Sequence, residues 1–593
     1  MLFKELADFY SRLEGVSSRL TMIDILTEAL KSAGTEEAQK IIYMTEGILA
    51  PPFEGLDFGI AEKTAEDSIA MATGYTKEQV HSEYKKLGDM GLVAEKLVGA
   101  TKLRRMRSSQ YTVSQLYDTM LKISRTSGHG SKDTKIKMLA DAIASSSPLE
   151  ARYVVRYPLG ELRLGAGDST ILEALSVVAT GGRSIKAELE AAYNICSDLG
   201  LVGRAVKEGG ADAIKHFKVD LFKPIRPALA ERLPTAEQIL ERMHGRCAVE
   251  QKYDGFRCQI HKDGADVRIF SRRLENTTAM FPDIVKAVQR EVKARRIIFE
   301  GEALAYNEAT GEFMPFQETI QRKRKHGIKE KIEELPLHLM AFDVMYIDGK
   351  DYMHEPYEQR RKALEGVLSK DGIILPTKRI ITSSAKELES FFESSVENGL
   401  EGIVAKDLQA EYIAGARKFS WIKLKRSYRG ELSDTLDLVI VGYFLGRGAR
   451  AELKFGGLLC AVYNEKRDMF ETVSRLGTGF TEKQMTELKE LLDKAKSKPK
   501  PARVDSLIEP DFWVYPKYVV TVKADEITRS PMHTCGRSKS ESGEETGYAL
   551  RFPRLVGEEA VRSDKSVEEA TTTKEVEEMF RQQRKVRVVD NPS

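Results

Sequence analysis

Cysteine is scarce in this sequence, five among 593 residues, and Cys196, Cys247, Cys258, Cys460 and Cys535 form no C-x-x-C pair. That excludes zinc ribbons and a disulfide framework, and it points to a reducing compartment. The histidines show no metal-ligand spacing, so no structural zinc is expected. Long apolar runs are missing as well: the longest, Leu436 to Leu445, is far short of the roughly 20 residues that a bilayer-spanning helix needs. The opening MLFKELADFY has neither the apolar stretch nor the small-residue cleavage site of a secretory signal. A charge excess of either sign is absent, since 92 Lys plus Arg against 90 Asp plus Glu leaves +2. Any polyanionic partner must then be met by local basic patches rather than a global field. No G-x-x-x-x-G-K-[ST] occurs, which excludes a P-loop; the clusters Gly165-Ala166-Gly167 and Gly477-Thr478-Gly479 read as turns.

What is present is ordinary globular material, 41% hydrophobic and 31% charged. At roughly 150 residues per domain the length suggests about four domains. Residues 1–224 read as helical: apolar residues recur at three- and four-residue spacing over 21–32, 113–124, 133–145 and 184–198, with Gly or Ser clusters between. A basic stretch, Lys102, Arg104, Arg105 and Arg107, precedes one of these helices. After Phe222-Lys223-Pro224 a helix is expected over Thr235–His244, opened by Thr235 and Gln238. Short alternating runs follow at 247–253, 256–262, 267–271, 297–306, 337–347 and 402–406, many bounded by Asp-Gly. This is the pattern of a mixed α+β domain over 225–430. From Leu436 the runs LDLVIVGYF, GGLLCAVYN, FETVSRLG and YVVTVKADEI predict about five strands with one helix near 481–494, as in an OB-fold barrel. A basic loop, KAKSKPKPAR, follows that helix, and a charged helix over 567–585 ends a 431–593 domain.

The chemistry concentrates around Lys252 in Glu250-Gln251-Lys252-Tyr253-Asp254-Gly255-Phe256-Arg257. Asp254-Gly255 predicts a tight turn with Lys252 at the end of the preceding strand. A free lysine, with a pKa of about 10.4, is a poor nucleophile at neutral pH, and partial burial beside other cations would expose its lone pair. The same tetrad also suits a plain surface hairpin. Further charged elements follow in strands: Ser271-Arg272-Arg273, Phe299-Glu300-Gly301-Glu302, Ala341-Phe342-Asp343, Glu401-Gly402-Ile403-Val404-Ala405-Lys406 and Trp421-Ile422-Lys423-Leu424-Lys425. Each has a bland alternative: Phe342 as a core aromatic, Glu302 as an outward strand residue, and Lys406, Lys423 and Lys425 as a solvated edge. Arg322-Lys323-Arg324-Lys325 reads as a solvated loop or one facing a polyanion.

Taken in order, these motifs resemble the covalent nucleotidyltransferases, specifically ATP-dependent DNA ligases of the archaeal and eukaryotic replicative type. Leu159-Gly160-Glu161-Leu162-Arg163-Leu164-Gly165 and Arg551-Phe552-Pro553-Arg554 extend the resemblance over nearly the whole chain. It implies an all-α DNA-binding domain, an adenylation domain and an OB-fold domain closing on nicked double-stranded DNA. It implies ATP and Mg²⁺ or Mn²⁺ as cofactors, and Lys252 as the residue that becomes lysyl-AMP. By the same resemblance Glu250 and Gln251 lie beside the adenine and Phe342 stacks on it. Arg257 and Arg272 face nucleotide or DNA, Glu302 meets the ribose or a metal-bound water, and Glu401 helps hold the metal. Arg417, Lys423 and Lys425 neutralise phosphates, while Arg551, Arg554 and the Arg562-x-Asp564-Lys565 element orient the leaving pyrophosphate. A cytoplasmic, nucleoid-associated monomer without membrane contact is expected. A sliding-clamp contact is implied by the family, but Met106–Tyr111 offers one glutamine and one tyrosine where some relatives carry a glutamine and an aromatic pair. RNA ligases and capping guanylyltransferases share Lys252-x-Asp254-Gly255, and a non-catalytic clamp on the same scaffold is a third reading. An NAD-dependent ligase is disfavoured by the missing cysteine cluster.

Overall fold

The structure, a computed structural model, describes residues 1–101, 110–307, 312–313, 336–398, 400–425, 435–445, 455–524, 526–539, 545–551, 553–557 and 559–589. The basic stretches 102–107 and 322–325 and the Arg429-Gly430 boundary lie outside them, as does Phe552.

Among the described residues a series of helices runs from Phe3–Glu14 to Leu199–Ile214, and their apolar faces meet in one core. The four periodic segments become Arg19–Ser32, Val113–Arg125, Ser131–Ala144 and Lys186–Cys196. Ser18, Thr76, Asp89, Thr112, Ser147 and Asp198 accept hydrogen bonds from first-turn amides, which fixes where several helices begin. The expected boundary at 222–224 is a tether clamped from both sides. Ser197 Oγ donates to the Pro224 carbonyl at 2.6 Å, and the Phe222 and Ile225 amides donate to His261 Nδ1 and Gln259 Oε1 at 2.9 and 2.7 Å. Burial, helped by Arg268, pushes the His261 imidazole down to about 3, so it accepts as the neutral ring.

Among its described residues the middle region carries twelve strands: β1 Leu229–Arg232, β2 Cys247–Lys252, β3 Phe256–Asp263, β4 Asp266–Ser271, β5 Arg296–Asn307, β6 Glu312–Phe313, β7 Leu337–Ile347, β8 Lys350–Asp351, β9 Ile374–Pro376, β10 Arg379–Thr382, β11 Gly402–Lys406 and β12 Arg417–Lys425. They form two sheets, one in the order β1-β12-β11-β2-β10, the other β4-β3-β5-β7-β8 with β6 and β9 attached. Helices Ala236–Arg242 and Ala385–Glu397 cover the outer side of the first sheet; Pro282–Glu291 and Tyr357–Val367 cover the second. A small cluster including Ile225, Ile298, Met345, Tyr412 and Trp421 packs between them. Asp254-Gly255 is therefore not a hairpin turn: β2 pairs with β10 and β11, β3 with β4 and β5, and the tetrad crosses from one sheet to the other.

After Thr435 the region holds more strands than expected, eight in one sheet and three in another among the described residues. The extra ones, such as Lys496–Ser497 and Val504–Asp505, are two-residue pairings too short to leave an alternating pattern. The run YVVTVKADEI divides into Val519–Lys523, paired with Thr435–Val439, and Glu526–Ser530, which starts the second sheet. The recorded pairings run as an open series rather than a closed barrel. The helix Glu482–Lys494 packs here, and a C-terminal helix, Thr573–Val589, follows a single 3₁₀ turn at Val567–Glu569. The architecture is thus three-part, not the four domains that length suggests. Among the described residues no helix is long and apolar enough to cross a membrane, and all five cysteines are free and buried.

The first and last parts touch directly. Arg163 donates to the carbonyls of Lys494 and Lys496, and Arg19 lies 3.4 Å from Asp468. At Gly167 a Cβ would stand 2.7 Å from Arg503 Nη1, so this glycine lets the two parts approach.

Candidate active site

Three neighbouring strands of the first sheet deliver the central charges. Lys252, at the end of β2, is opposite Gly402 of β11, which is opposite Lys425 of β12. Gly402 has φ +148°, and a Cβ there would meet the Leu424 carbonyl oxygen at 2.1 Å, so only glycine lets β11 lie this close to β12. The preceding residue, Glu401, is left between the two ammonium groups; Lys252 donates to its Oε2 and Lys425 to its Oε1. Burial works against the charge on Glu401, but Lys252 and Lys425 outweigh it and hold the carboxyl down at about 2. Gly255 has a matching role at the crossing, since a Cβ would meet the Ala303 carbonyl oxygen at 2.5 Å.

The second sheet supplies the facing wall. Glu302 on β5 is opposite Arg257 on β3. Burial pushes the Glu302 carboxyl up to about 7; Lys252 and Arg257 oppose that, while Glu401 and Asp254 add to it. Phe342 on β7 meets Trp421 edge to face at 5.9 Å, with the Arg257 guanidinium 5.3 Å from its ring centre. The two walls enclose a cleft of about 570 Å³, which Asp437, Arg562 and Lys565 of the last part close from outside. Lys565 pairs with Asp437; burial lowers its ammonium pKa and Asp437 opposes that.

Of the predicted site residues, Glu250, Gln251, Lys252, Arg257, Arg272, Glu302, Phe342, Glu401, Arg417, Lys423, Lys425, Arg562, Asp564 and Lys565 line this cleft. Arg551 does not; it is exposed at the end of a strand, opposite Glu526, outside the cleft lining. Protein partners already engage several of them, Glu250 and Arg257 most fully. The Glu250 carboxylate is 2% exposed and accepts from Tyr357, from Arg361 at 3.2 Å and from Lys406 at 3.1 Å. Arg257 forks onto Glu300 at 2.8 and 3.2 Å and donates to the Ala228 carbonyl at 2.9 Å. The alternative of a solvated edge fails for Lys406, which is 1% exposed and donates to the Phe342 carbonyl at 2.8 Å. It fails for Lys423 too, since β12 lies between β1 and β11 rather than at an edge, and Lys423 is half-buried in the cleft wall, where burial lowers its ammonium pKa against the pull of Glu575.

Sequence reasoning missed Trp421 as a wall of the cleft, and it missed the acidic partners Asp437, Glu569 and Glu575. Glu569 accepts from Arg272 at 2.8 Å, and Glu575 from Arg417 at 3.0 Å. Thr572-x-x-Glu575 is a capping-box signature that marks Glu575 from sequence, although not what it would face.

Among the described residues no group of three or more His, Cys, Asp or Glu side chains forms a metal cage. Glu302 and Glu401 are nevertheless hard oxygen donors suited to Mg²⁺, which keeps several waters and takes the rest from phosphate. A cation there also fits the carboxyl of Glu302, which is proton-loving without one.

An amine paired with a carboxylate, facing a nucleotide-sized cleft ringed by cations, defines a nucleotidyl-transfer enzyme. Residues 2–176 match the model for the DNA ligase N terminus, 227–425 that for the ATP dependent DNA ligase domain, and 451–565 that for the ATP dependent DNA ligase C terminal region. A probable DNA ligase of Dictyoglomus turgidum is 48% identical over 591 residues, covering 100% of this chain and 99% of that one. The DNA ligase of Sulfolobus acidocaldarius is 40% identical over 605 residues, covering 100% and 99%. The chain belongs to the ATP-dependent DNA ligase family.

Proposed function

We propose that the protein seals nicks in duplex DNA, in replication, repair and recombination, through a lysyl-AMP formed at Lys252. The observation that carries this reading is the convergence of Lys252, Glu401 and Lys425 from three adjacent strands, opposite Glu302 and Phe342, in one cleft. In the first step the Lys252 amine attacks the α-phosphorus of ATP, the bond to the β-phosphate oxygen breaks, and pyrophosphate leaves with the electron pair. In the second a 5′-phosphate oxygen of the nick attacks the same phosphorus and Lys252 regains its amine. In the third the 3′-hydroxyl attacks the adenylated phosphate and AMP leaves.

Phosphoryl-type transfer asks for positioning and charge neutralisation rather than elaborate covalent chemistry. Phe342 offers the adenine a ring face, buttressed by Trp421. Arg272, Arg417, Lys423 and Lys425 face the phosphates. Glu250 acts from beneath the cleft by holding Lys406 and Arg361, and Arg257 is positioned by Glu300. Mg²⁺ or Mn²⁺ would be held by Glu302 and Glu401 and would supply Lewis-acid charge at the phosphate oxygens. In this reading residues 1–224 would bind DNA, 225–430 would carry adenylation, and 431–593 would close over the cleft as an OB-fold. Contacts to DNA should be mainly to phosphate and sugar, hence salt-sensitive and nearly sequence-blind.

The test is label transfer. ATP labelled at the α-phosphate, with Mg²⁺, should leave covalent label on the protein that is stable to alkali and labile to acid, as a phosphoramidate is, and that nicked duplex discharges as the nick closes. Labelled GTP or adenylate-labelled NAD should leave none. Lys252→Ala should lose the label entirely while keeping the wild-type circular dichroism spectrum; label persisting in that variant would sink the assignment.

A further inference from the structure

The cations expected to meet the outer phosphates of ATP already hold an anion. Arg417 Nη1 donates to Glu575 Oε2 at 3.0 Å, and both side chains are nearly buried, 6% and 7% exposed. Lys423 and Arg232, opposite one another on β12 and β1, complete a cationic pocket around this carboxylate. Burial alone would raise the Glu575 pKa, yet Arg417, Lys423 and Arg232 together hold it far below the usual carboxylate range.

Glu575 comes from a different domain, and the way it is delivered is specific. It is the third residue of the C-terminal helix, and its Oε2 accepts from the Thr572 amide at 2.8 Å while its own amide donates to Thr572 Oγ1 at 3.2 Å. The threonines before it are fastened to the C-terminal sheets. Asp437 N donates to Thr571 Oγ1 at 3.0 Å, Tyr463 N to the Thr571 carbonyl at 3.0 Å, and Thr573 Oγ1 to Glu471 at 2.8 Å. A short, strapped turn therefore carries one carboxylate into the cleft of the neighbouring domain. A carboxylate presents two anionic oxygens, as does each phosphate that Arg417 and Lys423 would otherwise bind.

We propose that Glu575 is an internal occupant of the phosphate subsite, displaced when the outer phosphates of ATP bind and returning when pyrophosphate leaves, so that it sets how ATP and pyrophosphate compete for the closed enzyme. The inference rests on the function proposed above. It gives Glu575 a consequence for direction: an enzyme-adenylate whose vacated cations are taken by Glu575 resists attack by pyrophosphate on its phosphoramidate. The reverse step balances as a pyrophosphate oxygen bonding to the α-phosphorus while the Lys252–phosphorus bond breaks and the amine takes up a proton.

The experiment compares full-length wild type, Glu575→Gln and Lys574→Ala. The glutamine keeps an oxygen for the Thr572 amide, so the helix start survives while the charge goes. Lys574 ties the same helix to the adenylation domain, 3.5 Å from Glu231 and 3.8 Å from the centre of the Phe419 ring, without placing an anion in the subsite. Two quantities are read: the ATP concentration giving half-maximal self-adenylation, and the pyrophosphate concentration giving half-maximal discharge of preformed lysyl-AMP. Glu575→Gln should lower both by about tenfold, the factor that one unit of charge pairing worth about 1.4 kcal/mol commands. Lys574→Ala should leave the pyrophosphate value within about twofold of wild type. Unchanged values in Glu575→Gln, or an equal shift in Lys574→Ala, would overturn the role of the carboxylate while leaving Lys252 chemistry standing. A wild type that forms no lysyl-AMP would overturn both readings.

Discussion

Glu302 and Glu401 are carboxylates facing the same cleft, but their surroundings send them in opposite directions. Glu401 has an ammonium group on each oxygen and stays charged to about 2. Glu302 is half-buried in the cleft wall and holds its proton up to about 7. For Glu302 the folded value lies above the ordinary 4.5, so between those two values the folded state binds more protons than the unfolded one. Stability contributed by this group is complete below pH 4.5 and falls as pH rises toward 7. Glu302→Gln removes that slope. The stability difference between wild type and variant, from denaturant titration without metal, should change by about 3 kcal/mol across the window. Added Mg²⁺ should flatten the wild-type slope and leave that of the variant alone. Parallel profiles in the absence of metal would mean that the Glu302 carboxyl is solvated. Glu401 contributes the opposite sign, its stabilisation being lost only as pH falls from 4.5 toward 2.

At the scale of elements the site depends on close strand approach and on a buried network beneath it. Gly402→Ala would put a methyl against the Leu424 carbonyl and force a φ that L-residues avoid. The β11–β12 pair should shift, with a loss of about 2 kcal/mol and a fall in self-adenylation of at least tenfold, because Glu401 no longer reaches both lysines. Wild-type rates of lysyl-AMP formation in this variant would show that the register of β11 is not what places Glu401. Below the strands, Arg360 forks onto Asp343 at 2.8 and 3.0 Å and Lys406 bridges toward Glu250, all nearly free of solvent. Removing one member of such a set leaves an uncompensated buried charge, which is why this network rigidifies the floor of the cleft without touching a nucleotide.

For the whole molecule the decisive contacts join the two ends of the chain. Asp468, at φ +51°, accepts from Arg503 at 2.6 Å and from Thr170 at 3.4 Å, and it faces Arg19. The helical part thereby closes onto the C-terminal part through one buried carboxylate that Arg19 and Arg503 share. Asp468→Asn keeps the left-handed backbone accessible but drops the charge that Arg19 and Arg503 share. In small-angle scattering the DNA-free variant should show a larger radius of gyration than wild type. Its affinity for nicked duplex should rise by about threefold, since less closure has to be undone. An unchanged radius would assign the closure to the carbonyl contacts of Arg163 instead.

Local periodicity by itself determined most elements. The helices over 21–32, 113–124 and 481–494, the six alternating runs of the middle region and the capped helix after Thr235 were all readable because their signals span a few residues. The order of motifs around Lys252 likewise pointed to ligase chemistry before any geometry was known. Tertiary structure alone decided which strands pair and which charges meet. It split β2 from β3 into different sheets, buried Lys406, engaged Glu250 and Arg257 with protein partners, and left Arg551 outside the cleft. It also brought Glu575 to Arg417 across 158 positions of sequence and Lys565 to Asp437 across 128. Pairings at such separations are selected by burial and charge compensation summed over the whole fold, and no short window of sequence contains both partners.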